Sequence, residues 1–151
     1  SMSSRIGSKA LLGMVNKKLC TKGRCKVPPI LDDKHIFKGE ISRRTAKGFH
    51  STADAQYTLG YGASKVTERL KTNRKGVYKA WVAVWDNKTG RYRKKKSTMF
   101  PNHWSKSIVS ASLFGAWSKN NGKPTGKVKV NGIMIQYYTA GVYLRGHPVL
   151  R

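Results

Sequence analysis

The sequence predicts an α+β domain in which antiparallel β-sheets carry helices packed on one side. Three observations point there. Residues 77–85 (VYKAWVAVW) are rich in aromatic and β-branched side chains, the turn-forming run Asp86-Asn87-Lys88-Thr89-Gly90 follows, and Tyr92 to Phe100 returns, the pattern of a β-hairpin. The C-terminal third repeats the theme in shorter pieces joined by Asn131-Gly132 and Ala140-Gly141. Between these regions, residues 105–119 place Ile108, Val109, Leu113, Ala116 and Trp117 at helical spacing. Strands paired locally, with a helix between them, make an antiparallel sheet covered on one face. The 151 residues suffice for one such core.

Taken in order, residues 5–19 show a weak helical pattern (Ile6, Leu11, Leu12, Met14, Val15, Leu19) among basic residues. Such a segment docks on a core or lies on an anionic surface, and docking is the reading we favour. Cys20 and Cys25 enclose Thr-Lys-Gly-Arg, a spacing that suits a local disulfide across a glycine turn in an oxidising compartment. A zinc site would need two further ligands, and no second cysteine pair exists. Val27-Pro28-Pro29-Ile30 interrupts any helix, which divides the chain into an N-terminal basic segment (1–30) and a compact domain (31–151). Within that domain, Gly39 and Gly48 allow tight turns between His35 and His50, so that both histidines can face one cleft. Ala63, Val66 and Leu70 predict a short helix over residues 63–71, ending before Thr72-Asn73 and Gly76. The hairpin follows, Pro101 stops its second strand, and the helix of residues 105–119 ends at Asn120-Asn121-Gly122. Strands are expected over 127–130, 133–138 and 142–147.

Charge narrows the function. Lysine and arginine number 31 against 6 acids, a net charge of +25 that points to a polyanionic partner, nucleic acid before anionic membrane. No apolar run approaches the ~20 residues that span a bilayer, so stable membrane insertion is not expected. The acids Asp32, Asp33, Glu40, Asp54, Glu68 and Asp86 are scattered, which argues against a two-metal nuclease with convergent carboxylates. No metal or other cofactor is called for.

Imidazole takes and gives a proton near neutrality, and two of the four histidines close the His35–His50 stretch. Cleaving RNA through its own 2′-hydroxyl needs a base for that hydroxyl, an acid for the departing 5′-oxygen and a cation for the crowded phosphate. In the basic run Arg91-Tyr92-Arg93-Lys94-Lys95-Lys96, strand alternation puts Lys94, Lys96 and Thr98 on one face. Lys94 is the candidate cation; Lys95 is read as part of a solvated strand edge that meets phosphate nonspecifically.

The order His35-Ile36, Gly39-Glu40-Ile41 and Gly48-Phe49-His50-Ser51, followed by Lys94, Ser97-Thr98-Met99-Phe100-Pro101 and His103-Trp104-Ser105, resembles the bacterial EndoU endoribonuclease domain from about residue 34 onward. The resemblance implies a fold in the barnase-like and colicin-like nuclease group and a catalytic triad of His35, His50 and Lys94. Thr98 would help to read uracil, with Ser97, Lys96 and His147 as further substrate-binding candidates. It also implies cleavage of single-stranded RNA 3′ of uridine, leaving a 2′,3′-cyclic phosphate. Such domains are commonly C-terminal toxins of contact-dependent growth inhibition or other polymorphic toxin systems, some aimed at tRNA. They are delivered from the producer surface to act in the target-cell cytoplasm, and a dedicated immunity protein neutralises them. Residues 1–30 would be the tail of a delivery region, the inhibitor would be acidic, and the domain would otherwise be a monomer. The chain departs from the family in closing with Arg145-Gly146-His147-Pro148, where relatives carry a base-stacking tyrosine in place of His147. His103, in the Phe-Pro-Asn-His-Trp motif, reads as a structural side chain at the strand-to-helix joint.

Two readings compete with catalysis. A noncatalytic RNA- or DNA-binding module would need little beyond charge, with Trp81, Trp85, Tyr137 and Tyr138 stacking on bases, although sheet core is the plainer role for those aromatics. A membrane-active basic segment fused to a small fold would act through residues 1–26. Both histidines are expected in an open cleft.

Overall fold

The computed structural model describes residues 19–54 and 63–151. The helical pattern predicted over residues 5–19 therefore lies outside the described residues except for Leu19.

The first described element is a two-residue hairpin, β1 (Cys20–Thr21) and β2 (Arg24–Cys25), turning at Lys22-Gly23 with positive φ at both and closed by a Cys20–Cys25 disulfide. Described residues on both sides of the sequence boundary at residue 31 pack together. Leu19 is buried in the main core, and β3 (Ile30–Leu31) already belongs to the larger sheet. The two prolines make an extended passage between elements of one body.

Among the described residues, two sheets have more than two strands and form the body of the domain. The larger has the order β3-β11-β10-β9, with β9 Thr125–Val130, β10 Ile133–Ala140 and β11 Tyr143–Pro148. It is antiparallel except where β3 pairs parallel with β11, so the expected all-antiparallel arrangement holds only for its C-terminal strands. Across it lies the helix α1 (Lys106–Lys119), capped by Ser105, whose side chain accepts from the Ile108 N–H at 3.2 Å. Val109, Leu113, Phe114, Ala116 and Trp117 are buried, but Ile108 is 42% exposed and does not share their face as predicted.

The second sheet has the order β6-β7-β8, with β6 Lys65–Thr72, β7 Tyr78–Asp86 and β8 Arg91–Met99. The predicted hairpin is β7–β8. The predicted helix at 63–71 is instead the edge strand β6. Register shifts between Val66 and Glu68, and between Arg69 and Lys71, break its two-residue alternation, so Val66 and Leu70 mimic helical spacing. The inner face of this sheet (Tyr78, Ala80, Val82, Val84, Met99) packs on Phe49 and on Ala46 of a short hairpin, β4 (Glu40–Ser42) and β5 (Thr45–Lys47).

The His35–His50 stretch joins the two cores. It starts in one wide helical turn, Lys34–Lys38, where the Gly39 N–H bonds back to the Lys34 carbonyl at 2.7 Å. Ile36 and Phe37 enter the core under α1, whereas Phe49 enters the core under the three-stranded sheet. Among the described residues the architecture is α+β, β-rich, with one α-helix, and no helix is long and apolar enough to cross a membrane.

Candidate active site

The two histidines, 15 residues apart in sequence, are pinned together by backbone. The Phe49 N–H donates to the His35 carbonyl, and the His50 N–H to the Ile36 carbonyl, both at 2.7 Å. Glycine at 48 is required, because a Cβ there would sit 2.0 Å from the His35 carbonyl oxygen and φ is +75°. The imidazole centroids end 5.9 Å apart. They are not in an open cleft: His35 is 5% and His50 7% exposed, at the floor of a pocket of about 440 Å³. The elements around them are packed on both cores, which is why so little of either residue is exposed.

Partner chemistry assigns each tautomer. His50 Nδ1 lies 3.0 Å from the Thr98 carbonyl, which can only accept, so Nδ1 carries the proton. Ser97 Oγ, also 3.0 Å from Nδ1, donates to the Phe49 carbonyl at 2.7 Å and offers His50 a lone pair. His35 Nδ1 donates to Glu40 Oε1 at 2.7 Å. In both rings Nε2 is left as the nitrogen for proton exchange. Burial pushes His50 well below the usual histidine range, with repulsion from Lys95 and His147 adding to it. Burial also lowers His35, and nearby Arg145 adds to that, but the Glu40 carboxylate works the other way.

The rest of the pocket comes from both sheets. From β8 and its neighbours come Lys79, Lys95, Lys96, Ser97 and Thr98; from β10 and β11 come Tyr138, Gly146 and His147. Six of the seven site residues expected from sequence thus line one pocket: His35, His50, Lys96, Ser97, Thr98 and His147. His147 stands with its ring centroid 5.3 Å from that of His50. Its Nδ1 donates to the Pro148 carbonyl at 2.9 Å.

Lys94 is not brought to this pocket. Lys96, Thr98 and Lys94 do share a face of β8, as alternation predicted, but it is the outer face, and Lys94 borders a separate groove beside Arg44 and Thr45. Lys95 and Ser97 point inward. Lys95 Nζ donates to the Gly48 carbonyl at 2.8 Å, and burial, with repulsion from Lys47, lowers its pKa. The lysine beside the histidines is therefore the one read from sequence as a solvated edge. One residue of strand phase makes the difference, and phase relative to a distant core is invisible in a run of three lysines.

Sequence reasoning also missed Glu40 and Arg145. Arg145 Nε donates to Asp32 Oδ2 at 2.8 Å, its Nη2 lies 3.6 Å from Glu40 Oε1, and Asp32 Oδ1 accepts from the His35 backbone N–H at 3.2 Å. Asp32, His35 and Glu40 bring ligand-type atoms within 4.8 Å of one another, the spacing of a possible metal site. The Arg145 guanidinium against both carboxylates already supplies the positive charge there, which suits a positioning network better than a cation cage. Among aromatics proposed to stack on bases, Tyr137 is core, with its hydroxyl donating to the Lys123 carbonyl at 2.9 Å, whereas Tyr138 is 39% exposed at the pocket rim. His103 is exposed and lines no part of the pocket.

Two acceptor-anchored imidazoles and a lysine thus share one cationic pocket on a small β-rich domain, groups able to exchange protons beside a bound anion. The family model described as bacterial EndoU nuclease matches residues 31–147, and the chain belongs to that family. No curated protein and no solved structure matches it.

Proposed function

We propose that this nuclease is a metal-independent endoribonuclease that cuts single-stranded RNA 3′ of uridine. The observation that carries the reading is the opposed environment of two imidazoles facing one pocket. His50, surrounded by Lys95 and His147, is kept neutral and suits the base; His35, backed by Glu40, is the one whose protonated form has a counter-charge and suits the acid. In the reaction His50 Nε2 takes the proton of the 2′-hydroxyl and the 2′-oxygen bonds to phosphorus. The P–O5′ bond breaks, and O5′ takes a proton from His35, leaving a 2′,3′-cyclic phosphate. Lys95, rather than Lys94, faces the phosphate as its charge rises. Thr98 and His147 flank the base, with His147 giving a smaller stacking face than a tyrosine.

The family membership and the net charge of +25 support the rest of the reading. The domain, of the barnase-like and colicin-like nuclease group, is the toxic end of a larger delivered protein of which residues 1–30 are the connecting tail. It acts on RNA, tRNA among the candidates, in the target-cell cytoplasm. It is a monomer held in check in the producer by an acidic immunity protein, since complementary charge speeds capture.

The test is a labelled single-stranded oligoribonucleotide with one uridine, incubated with and without chelator. One cut after uridine, a cyclic phosphate end and indifference to chelator are expected, with His35→Ala and His50→Ala each losing roughly 10²-fold or more. A chelator-sensitive cut, or near-normal activity of either variant, refutes the mechanism.

A further inference from the structure

Among the described residues, neither hydrophobic core lies behind one face of the three-stranded sheet. Tyr78, Ala80, Val82, Val84 and Met99 are buried on the inner side, so their neighbours along β7 and β8 point outward. Cross-strand pairs on that outer side are Lys79 with Thr98, Trp81 with Lys96 and Ala83 with Lys94. The edge strand β6 adds Lys71 opposite Lys79, Glu68 opposite Trp81 and Lys65 opposite Ala83. Five lysines therefore share the face with a single glutamate. In their midst the half-buried Trp81 has the Lys96 ammonium 5.2 Å from its ring centroid, so a solvated cation, and not packed core, approaches the indole.

This face is continuous with the pocket. Lys79, Lys96 and Thr98 lie on the outer side of the sheet and also line the space around His50. A strand whose scissile phosphate lies between His35 and His50 leaves the pocket beside these residues. It then meets Trp81, with Lys94 next along β8.

We propose that the outer face of this sheet is the track for nucleotides flanking the cut, with Trp81 as a stacking platform for a base and Lys94 as a phosphate contact. The occupant is a single-stranded segment of the RNA being cleaved; the proposal rests on the endoribonuclease reading above. An aromatic ring among lysines suits unpaired nucleotides, because every base has a π-face and every linkage a charge. It also gives Lys94 a role outside the pocket.

The test compares wild type, Trp81→Leu, Trp81→Phe and Lys94→Ala on two substrates: a uridylyl-adenosine dinucleotide, too short to leave the pocket, and a 12-residue single-stranded oligoribonucleotide with one central uridine. Binding of the same oligomer with 2′-deoxyuridine at the cut is measured by fluorescence anisotropy. Trp81→Leu is expected to raise KM and the anisotropy Kd for the oligomer roughly 10-fold, with dinucleotide kinetics unchanged and Trp81→Phe restoring most of the loss. Lys94→Ala, on an exposed side chain, is expected to raise both several-fold. Unchanged oligomer binding in Trp81→Leu and Lys94→Ala overturns the track, as does equal loss on both substrates. Displacement of the oligomer by poly-glutamate as readily as by RNA would assign the face to an acidic protein and also overturn it. If wild type cuts neither substrate, the endoribonuclease reading fails, and the anisotropy series still decides the track.

Discussion

On the inner face of the three-stranded sheet, Lys95 is half-buried, bonded to the Gly48 carbonyl and lowered in pKa by burial. On the outer face, one residue earlier along the same strand, Lys94 is exposed and pairs across the sheet with Ala83. The side chains are chemically identical. What separates them is strand alternation, which sends one toward Phe49 and the histidines and the other toward solvent. Within a pocket, a fixed lysine acts on charge that develops during reaction; on an open face it acts on phosphate already present, and water and salt weaken it. A basic run on a strand therefore contains two populations, and only the packed side can be preorganised.

Exchange of the two lysines gives the largest expected effect. Lys95→Ala should lower kcat by roughly 10²-fold, as expected when a preorganised charge partner is lost, whereas Lys94→Ala should leave kcat nearly intact and act on KM. Single-turnover rates at saturating RNA check this, and a larger kcat loss for Lys94→Ala would reverse the assignment of faces.

A medium effect concerns the buried side alone. His35 and His50 both lie below 6.5, the ordinary histidine value, so kcat/KM should peak on the acid side of that pH. The Glu40 carboxylate stabilises protonated His35. Glu40→Gln keeps an oxygen for the Nδ1 proton but removes the charge, so the His35 pKa falls further and the alkaline limb should move to lower pH. A limb that stays in place in the pH profile would show that His35 is not the acid.

The smallest effect is electrostatic. Each phosphate contact adds roughly 0.7 to the slope of log K against log salt for single strands, so Lys94→Ala should flatten that slope by about this amount. An unchanged slope in a salt titration would remove Lys94 from the RNA contacts and leave the two faces distinguished by packing alone.

Much of this molecule was legible beforehand because it depends on neighbours in the chain. The β7–β8 hairpin follows from residues 77–100 and their turn, α1 from its spacing and its Ser105 cap, and the last two hairpins from Asn131-Gly132 and the glycine at 141. The pairing of His35 with His50 was readable as well, since glycines at 39 and 48 permit the return that the His35 carbonyl and the Phe49 N–H then close. Bulges hid β6, because a two-residue slip in phase resembles a helical repeat when the strand lies at an exposed edge with little apolar signal.

By itself, then, the sequence determined the elements with strong local period, the charge that calls for a polyanion and the histidines that make proton transfer possible. Tertiary structure alone decided which lysine enters the pocket, that Glu40 and Arg145 stand behind His35, and that His147 comes within 5.3 Å of His50. The physical reason is separation along the chain. Arg145 and Asp32 are 113 residues apart, and Thr98 and His50 are 48 apart, so their contacts are set by how two sheets close over a shared core and leave no periodic trace in the sequence.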